Sequence, residues 1–321
     1  MTLHNDEALF EELIIAASAS LGIPEVFVEK DYWVCSVLKS ISQMDEEIRE
    51  KVVFKGGTSL SKAHKLIERF SEDIDLAVIV DGLSQGQAKA FIKKIEKEIV
   101  NSAFSTLSEH PQISKGSRFR KTVHEYPRKI SGAMGDAKEV ILLEINTYTN
   151  PTPNTPQQIG TYIFDFLMDQ EKEDGLIATY GLEPFEVNVL DMERTLCEKI
   201  SAIARASYGT QAELQSKIRH LYDIYHLLQH PQVQEFFLSA DFFEMMEIVK
   251  LDDENFRQPE DTEERVLETA PIFQSNAELL AKIRPYYNET FSTLVHGELP
   301  PFEKIEEIVG TLAQRFGEQN E

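Results

Sequence analysis

Cysteine is nearly absent from the chain: there are two in 321 residues, Cys35 and Cys197. They lie far apart inside helical patterns. That excludes a disulfide framework or a cysteine metal centre and fits packed free thiols. Tryptophan occurs once, at Trp33. No apolar run reaches the roughly 18 residues of a membrane span, so no transmembrane helix is expected. The start, MTLHNDEALFEELIIAASAS, carries early acids and no basic region, and does not read as a secretory signal. Internal repeats and low-complexity tracts are missing. Positive charge is scarce: 32 Lys and Arg stand against 55 Asp and Glu, a net charge of −23. Such a chain repels nucleic acid at long range, which excludes a broad non-specific binder. It leaves room for a nucleic-acid end gripped by a local basic patch. The rest is ordinary for a globular protein of one large or two modest domains, and a cytoplasmic enzyme is expected.

Chemistry concentrates in FKGGTSLSKAHKLIERFSEDIDLAVIV, residues 54–80. Val52–Lys55 is short and apolar and predicts a strand. Gly56-Gly57 predicts a tight turn with exposed backbone N–H groups, and Thr58 or Ser59 is placed to cap the following helix. Asp73 and Asp75 precede the run Leu76–Val80. Two apart on a strand, they point to one side. Adjacent anions at a buried strand repel, and a divalent metal such as Mg²⁺ resolves the conflict. The glycine turn offers N–H groups to phosphate oxygens. Either half alone reads as a common structural piece; together they point to nucleotidyl transfer from an NTP.

These residues also carry a resemblance. Gly56-Gly57-Thr58-Ser59-Leu60, then Arg69-Phe70-Ser71-Glu72-Asp73-Ile74-Asp75, resembles the first motif of the AbiEii-type toxin nucleotidyltransferases. That group belongs to the DNA polymerase β-like nucleotidyltransferase superfamily. Glu29-Lys30-Asp31-Tyr32-Trp33 is similar to a string of the same family. From its own pattern it reads as a packed helix with a charged outer face.

Elsewhere, helices are predicted at 5–21, 25–43 and 83–100. Residues 115–129, KGSRFRKTVHEYPRK, hold six basic residues and one acid. The segment reads as a β-hairpin arm for a triphosphate or an RNA end, or as an edge strand kept soluble by charge. Alternation singles out Arg118 and Arg120, with Lys121 beside them. Residues 139–148 predict a buried strand, and Glu144 in its middle is costly unless paired or metal-bound. The superfamily places a third carboxylate on a neighbouring strand, so Glu144, with Glu139 as the alternative, is the candidate third metal ligand or base; the plain reading is an edge strand with Glu144 facing water. The Pro-rich stretch 150–158 predicts a loop, 161–168 and 185–189 short strands, and 169–174 an acidic turn.

Helices follow at 192–207 and 212–229. Arg194–Glu198 and Arg219–Asp223 are spaced as simple helix ion pairs. The resemblance instead implies that Lys199 contacts nucleotide phosphate and that Asp223 holds it charged, with Arg69 as a further nucleotide-site candidate. Residues 251–268 read as an acidic surface loop, and 277–294 and 302–316 as closing helices.

The expectation is thus an α/β (α+β) fold. Residues 1–190 form a nucleotidyltransferase core with a small mixed sheet and N-terminal helices. Residues 191–321 form a helical domain completing the cleft. Predicted site residues are Asp73, Asp75 and Glu144 for Mg²⁺, with Gly56, Gly57, Thr58, Ser59, Ser71 and Lys199 at the phosphates. The resemblance further implies a toxin that modifies an RNA acceptor, by preference a tRNA 3′ end, and a partner antitoxin. A small-molecule or protein hydroxyl as acceptor, or a non-catalytic nucleotide-binding regulator, are the alternatives.

Overall fold

The computed structural model describes all residues except 72, 101, 133, 135–136, 171–173, 257–265, 268, 275 and 319–321. Glu72 of the first motif and parts of the two acidic segments therefore lie outside the described residues. The chain forms two compact units, Met1–Lys65 with Phe70–Leu190, and Leu66–Arg69 with Asp191–Glu321.

The first unit opens with helices α1 (Glu7–Leu21) and α2 (Glu25–Ser42). Asp6 caps α1 by accepting from the Leu9 N–H, and Gly22 ends it in the left-handed conformation. A short α3 (Glu46–Arg49) leads into β1 (Val52–Lys55), α4 (Gly56–Lys62), β2 (Asp73–Val78) and α5 (Gln85–Ile99). Then come β3 (Ser105–Thr106), β4 (Ser114–Lys115), β5 (Phe119–Glu125), β6 (Ile141–Asn146) and β7 (Asn154–Ile159). Helices α6 (Tyr162–Asp169) and α7 (Asp174–Tyr180) precede the last strand, β8 (Phe185–Leu190).

All eight strands join one mixed sheet in the order β3-β5-β6-β2-β1-β8-β7, with β4 also on β5. The β6–β2 and β1–β8 pairs are parallel and the others antiparallel. Period-2 alternation gives the central strands two different faces. Phe54, Ile74, Leu76, Val78, Ile141, Leu143 and Ile145 point into a core shared with α1, α2, α5 and α6. Trp33 of α2 is fully buried there against the edges of Phe10, Tyr32 and Phe104. The opposite face carries Asp73 and Asp75.

Three local expectations change. Residues 161–168 form helix α6, not a strand. Ile163 and Leu167 are buried one turn apart, and the Thr161 hydroxyl caps the Phe164 N–H at 2.9 Å. The Pro-rich 150–158 stretch contains β7. Its Pro156 lies opposite Asn188 on a strand that pairs on one side only, where proline is tolerated. The charged residues Glu29, Lys30 and Asp31 of α2 are buried instead of forming an outer face.

The second unit is helical: α8 (Met192–Ser207), α9 (Gln211–Ser216), α10 (Ile218–Gln229), α11 (Pro231–Leu238), α12 (Asp241–Phe256), α13 (Pro271–Gln274), α14 (Asn276–Glu289) and α15 (Phe302–Gly317). The 212–229 helix is thus split in two, and residues 251–256 end α12. Residues 66–69 join this unit through the Arg69–Val295 bridge and the His296 N–H on the Glu68 carbonyl. Arg194 is buried and pairs with Asp252 as well as Glu198, so it is no surface residue. No helix among the described residues is long and apolar enough to cross a membrane.

Candidate active site

Register explains how the acids meet. In β2 and β6 Asp75 lies directly opposite Glu144, and Asp73 opposite Leu142. In β1 Lys55 lies opposite Asp75, and in β5 Lys121 opposite Glu144. Directly opposed residues share a face, so Lys55, Asp75, Glu144 and Lys121 form one row across four central strands. Asp73 stands one step along β2 on the same side. The predicted trio therefore lies on one face of adjacent strands.

Helix α4 begins at Gly56 itself, with Lys55 as N-cap and no side-chain cap. Gly56 has φ +84°, and a Cβ there would stand 2.3 Å from Asp75 Oδ2. Only glycine lets backbone and carboxylate come this close. Thr58 and Ser59, the expected caps, are buried inside the first turn. Thr58 Oγ1 donates to the Asp73 carbonyl at 2.6 Å and lies 3.0 Å from Ser71 Oγ. Ser59 Oγ donates to the Gly56 carbonyl at 2.9 Å. The Thr58 hydroxyl thus ties α4 to β2, the Ser59 hydroxyl closes the first turn on itself, and the first-turn N–H groups have no intrahelical acceptor.

Asp73 Oδ1 is buried without a hydrogen-bond partner among the described residues; the Lys138 ammonium stands 3.6 Å away. A buried carboxylate oxygen with no hydrogen bond, met by an ammonium at 3.6 Å and beside a second aspartate, is a donor set suited to a hard divalent cation. Glu144 Oε1 meets Lys121 Nζ at 2.5 Å. Among the described residues no three acidic, histidine or cysteine side chains converge at metal-binding separations. Asp73 and Asp75 fit Mg²⁺, whereas Glu144 is oriented to its lysine.

The basic arm is a hairpin of β4 and β5. Arg118 precedes β5, donates to the Thr147 carbonyl at 3.3 Å and lies 4.8 Å over the Tyr148 ring. Arg120 faces the other way. It is opposite Ile145, buried on the core side, and paired with Glu96 of α5. The expected Arg118–Arg120 pair on one face is corrected: Arg118 lies in the turn, where strand alternation does not apply. Lys121 takes the acid face instead.

In the second unit Asp223 is fully buried and accepts a bidentate pair from Arg69, Nε and Nη2 each at 2.7 Å. Lys199 Nζ donates to its Oδ2 at 2.6 Å. The bond between Lys199 and Asp223 is the one anticipated; the Asp223 ion pair is with Arg69, not Arg219. Burial alone would push the Asp223 carboxyl up, but Arg69 and Lys199 outweigh it and hold it well below the usual carboxylate range. His220, buried beside this cluster, is kept neutral first by burial and then by Lys199.

Sequence reading missed Lys55, Lys138 and the Asp31–Lys62 pair. Lys55 was within reach, because β1 and β2 flank the motif and their register sets it opposite Asp75. No local pattern marks Lys138.

No curated protein matches the chain. The crystal structure of JHP933 from Helicobacter pylori aligns over 92% of this chain and 94% of its own, at 14% identity and a TM-score of 0.46. MenT4, the nucleotidyltransferase toxin Rv2826c from Mycobacterium tuberculosis H37Rv, aligns over 94% and 98%, at 14% identity and a TM-score of 0.39. The family described as nucleotidyl transferase AbiEii toxin, type IV TA system, matches residues 41–309. With its first motif laid out on one sheet face and that match covering most of its length, the chain belongs to the AbiEii family of nucleotidyltransferase toxins.

Proposed function

We propose that the protein is a cytoplasmic, Mg²⁺-dependent enzyme that transfers an NMP from an NTP to an RNA acceptor, preferably a tRNA 3′ end. It would act as the toxin restrained by a cognate antitoxin. The observation that carries this reading is Gly56 packed against Asp75, in a row with Glu144 and beside a buried Asp73 oxygen that makes no hydrogen bond among the described residues. In the reaction an acceptor hydroxyl attacks the α-phosphorus, the α–β bridging bond breaks, and pyrophosphate leaves.

Asp73 and Asp75 are the residues to hold Mg²⁺, with Glu144, turned to Lys121, as the base that takes the acceptor proton in place of a third ligand. Bound there, the ion would offset triphosphate charge and favour the attacking hydroxyl. Gly56 and Gly57 let backbone N–H groups approach phosphate oxygens, while Thr58, with Ser71 beside its hydroxyl, holds that turn on β2 and Ser59 braces it from within. Lys121, paired with Glu144, places a cation for the acceptor phosphate next to the base, and Arg118 over Tyr148 extends that arm. For Lys199 the motif resemblance supports a phosphate contact, with Asp223 holding it charged and Arg69 as a further nucleotide-site residue on the same carboxylate.

The test is incubation of the protein with each labelled NTP, Mg²⁺ and total RNA. A labelled RNA band is expected, lost by at least about a hundredfold in Asp73→Ala. Growth arrest on expression should be relieved by the same substitution. Label on a small molecule or protein would redirect the acceptor; no labelled acceptor of any kind would leave a binding protein.

A further inference from the structure

Glu29, Lys30 and Asp31 are consecutive on α2, buried, and outside the acid row. They precede the matched span of residues 41–309. Burying charge is costly unless it is answered. Each of the three is answered by a different segment of the first unit. Glu29 accepts from the N–H groups of Lys129 at 2.6 Å and Ile130 at 3.0 Å, where the chain leaves β5. Lys30 donates to the Lys138 carbonyl just before β6, and Lys138 is the residue whose ammonium approaches Asp73. Asp31 Oδ1 pairs with Lys62 Nζ at 2.7 Å, and its Oδ2 accepts from the Tyr162 N–H at 2.8 Å.

Lys62 is the last residue of α4, the helix that Gly56 opens. Its ammonium is also 4.0 Å from the Tyr162 ring centroid. Over seven residues α4 rises only about 10 Å, so an anchor at one end governs the other. Apolar contacts would have packed α2 equally well. Charge-assisted bonds impose direction and register that apolar contacts do not. We propose that Glu29-Lys30-Asp31 is the positioning element of the active site, and that the Asp31–Lys62 pair sets where α4 holds Gly56 against Asp75 and Thr58 against Asp73. These are positioning residues, acting through groups that would touch metal and nucleotide. The catalytic readout rests on the function proposed above; a metal-binding readout does not need an acceptor.

The test compares Asp31→Asn, Lys62→Met and the double variant. Asn keeps an acceptor for the Tyr162 N–H. Each single change leaves a buried group unmatched and should lower the melting temperature; the double change should restore it to within a few degrees. Mn²⁺ affinity is followed by the free-ion resonance signal, and turnover by pyrophosphate release with wild-type protein as reference. The folded double variant is expected to lose at least tenfold in kcat, or threefold in Mn²⁺ affinity, with the KM for NTP changed less. Wild-type values for both overturn the proposal, because stability would then have been the pair's whole role. If the double variant does not fold, Lys30→Met beside Phe70 carries the test: it removes the donor to the Lys138 carbonyl and should lower the melting temperature, and with kcat measured well below that temperature a tenfold loss supports the proposal and an unchanged kcat overturns it. A wild-type protein that binds Mn²⁺ but transfers nothing defeats the functional reading alone. One that does neither removes the proposal too.

Discussion

Asp31 in the first unit and Asp223 in the second are both buried carboxylates set on cations, and the two are answered differently. Asp31 meets one ammonium and one backbone N–H, whereas Asp223 lies between a bidentate guanidinium and an ammonium. Asp31 with Lys62 is formally neutral. Asp223 with Arg69 and Lys199 sums to +1, so removing the acid leaves two like charges facing one space. The first arrangement ties segments together. The second holds two cations side by side that would otherwise repel, and links residues 66–69 to α8 and α10.

The largest effect should come from Asp223→Asn, which removes the charge between both cations. A loss of about 5 kcal/mol is expected, the upper end for breaking a buried pair. Asp31→Asn should cost about 3 kcal/mol, because it leaves one cation and keeps the bond to Tyr162. Urea unfolding of the two variants ranks them directly. Equal costs would mean that the number of cations does not decide the outcome.

Acid separates the Asp223 cluster from the histidines. Asp223 has a depressed pKa, so its contribution is complete above the ordinary carboxylate range and is lost only as pH falls below about 4. Burial pushes His124 of the first unit down to about 4. Its unfolded form takes up a proton first, so stability should fall between about pH 6.5 and pH 4, by at most about 3 kcal/mol. His220 acts with the same sign from pH 6.5 downward in the second unit. Melting from pH 7.5 to 4.5 should therefore show a decline that His124→Gln flattens. The cost of Asp223→Asn should stay constant over that window. A cost that shrinks already at pH 5 would contradict a strongly depressed carboxyl.

How much of this was legible depended on where the partners lie. Val52–Lys55 and Met192–Ser207 match their predicted spans residue for residue, because local pattern and tertiary role agree there. The side shared by Asp73 and Asp75 followed from strand period alone. Burial of Glu29, Lys30 and Asp31 could not follow, since their partners stand at 62, 129, 130, 138 and 162 and only the fold brings them in. α6 was hidden for a similar reason. Its first N–H is answered by Asp31 on another helix, and its short apolar run suits strand and helix alike. β7 was hidden by prolines that a one-sided strand tolerates.

The smallest stability effect, and the sharpest test of face, is on β5. Arg120 and Lys121 are neighbours in sequence and point to opposite sides of the sheet. Arg120→Met strands the mostly buried Glu96, so it should cost about 2 kcal/mol while leaving RNA labelling unchanged well below the melting temperature. Lys121→Met breaks a pair about one-fifth exposed and should cost under about 1 kcal/mol. Yet it should lower RNA labelling at least tenfold and spare any label on a small acceptor. Were Arg120→Met to lose labelling and Lys121→Met to keep it, the acceptor would have to approach from the helix-covered side. The row of Lys55, Asp75, Glu144 and Lys121 would then be a structural ladder, two acids flanked by two lysines, and not the reacting face.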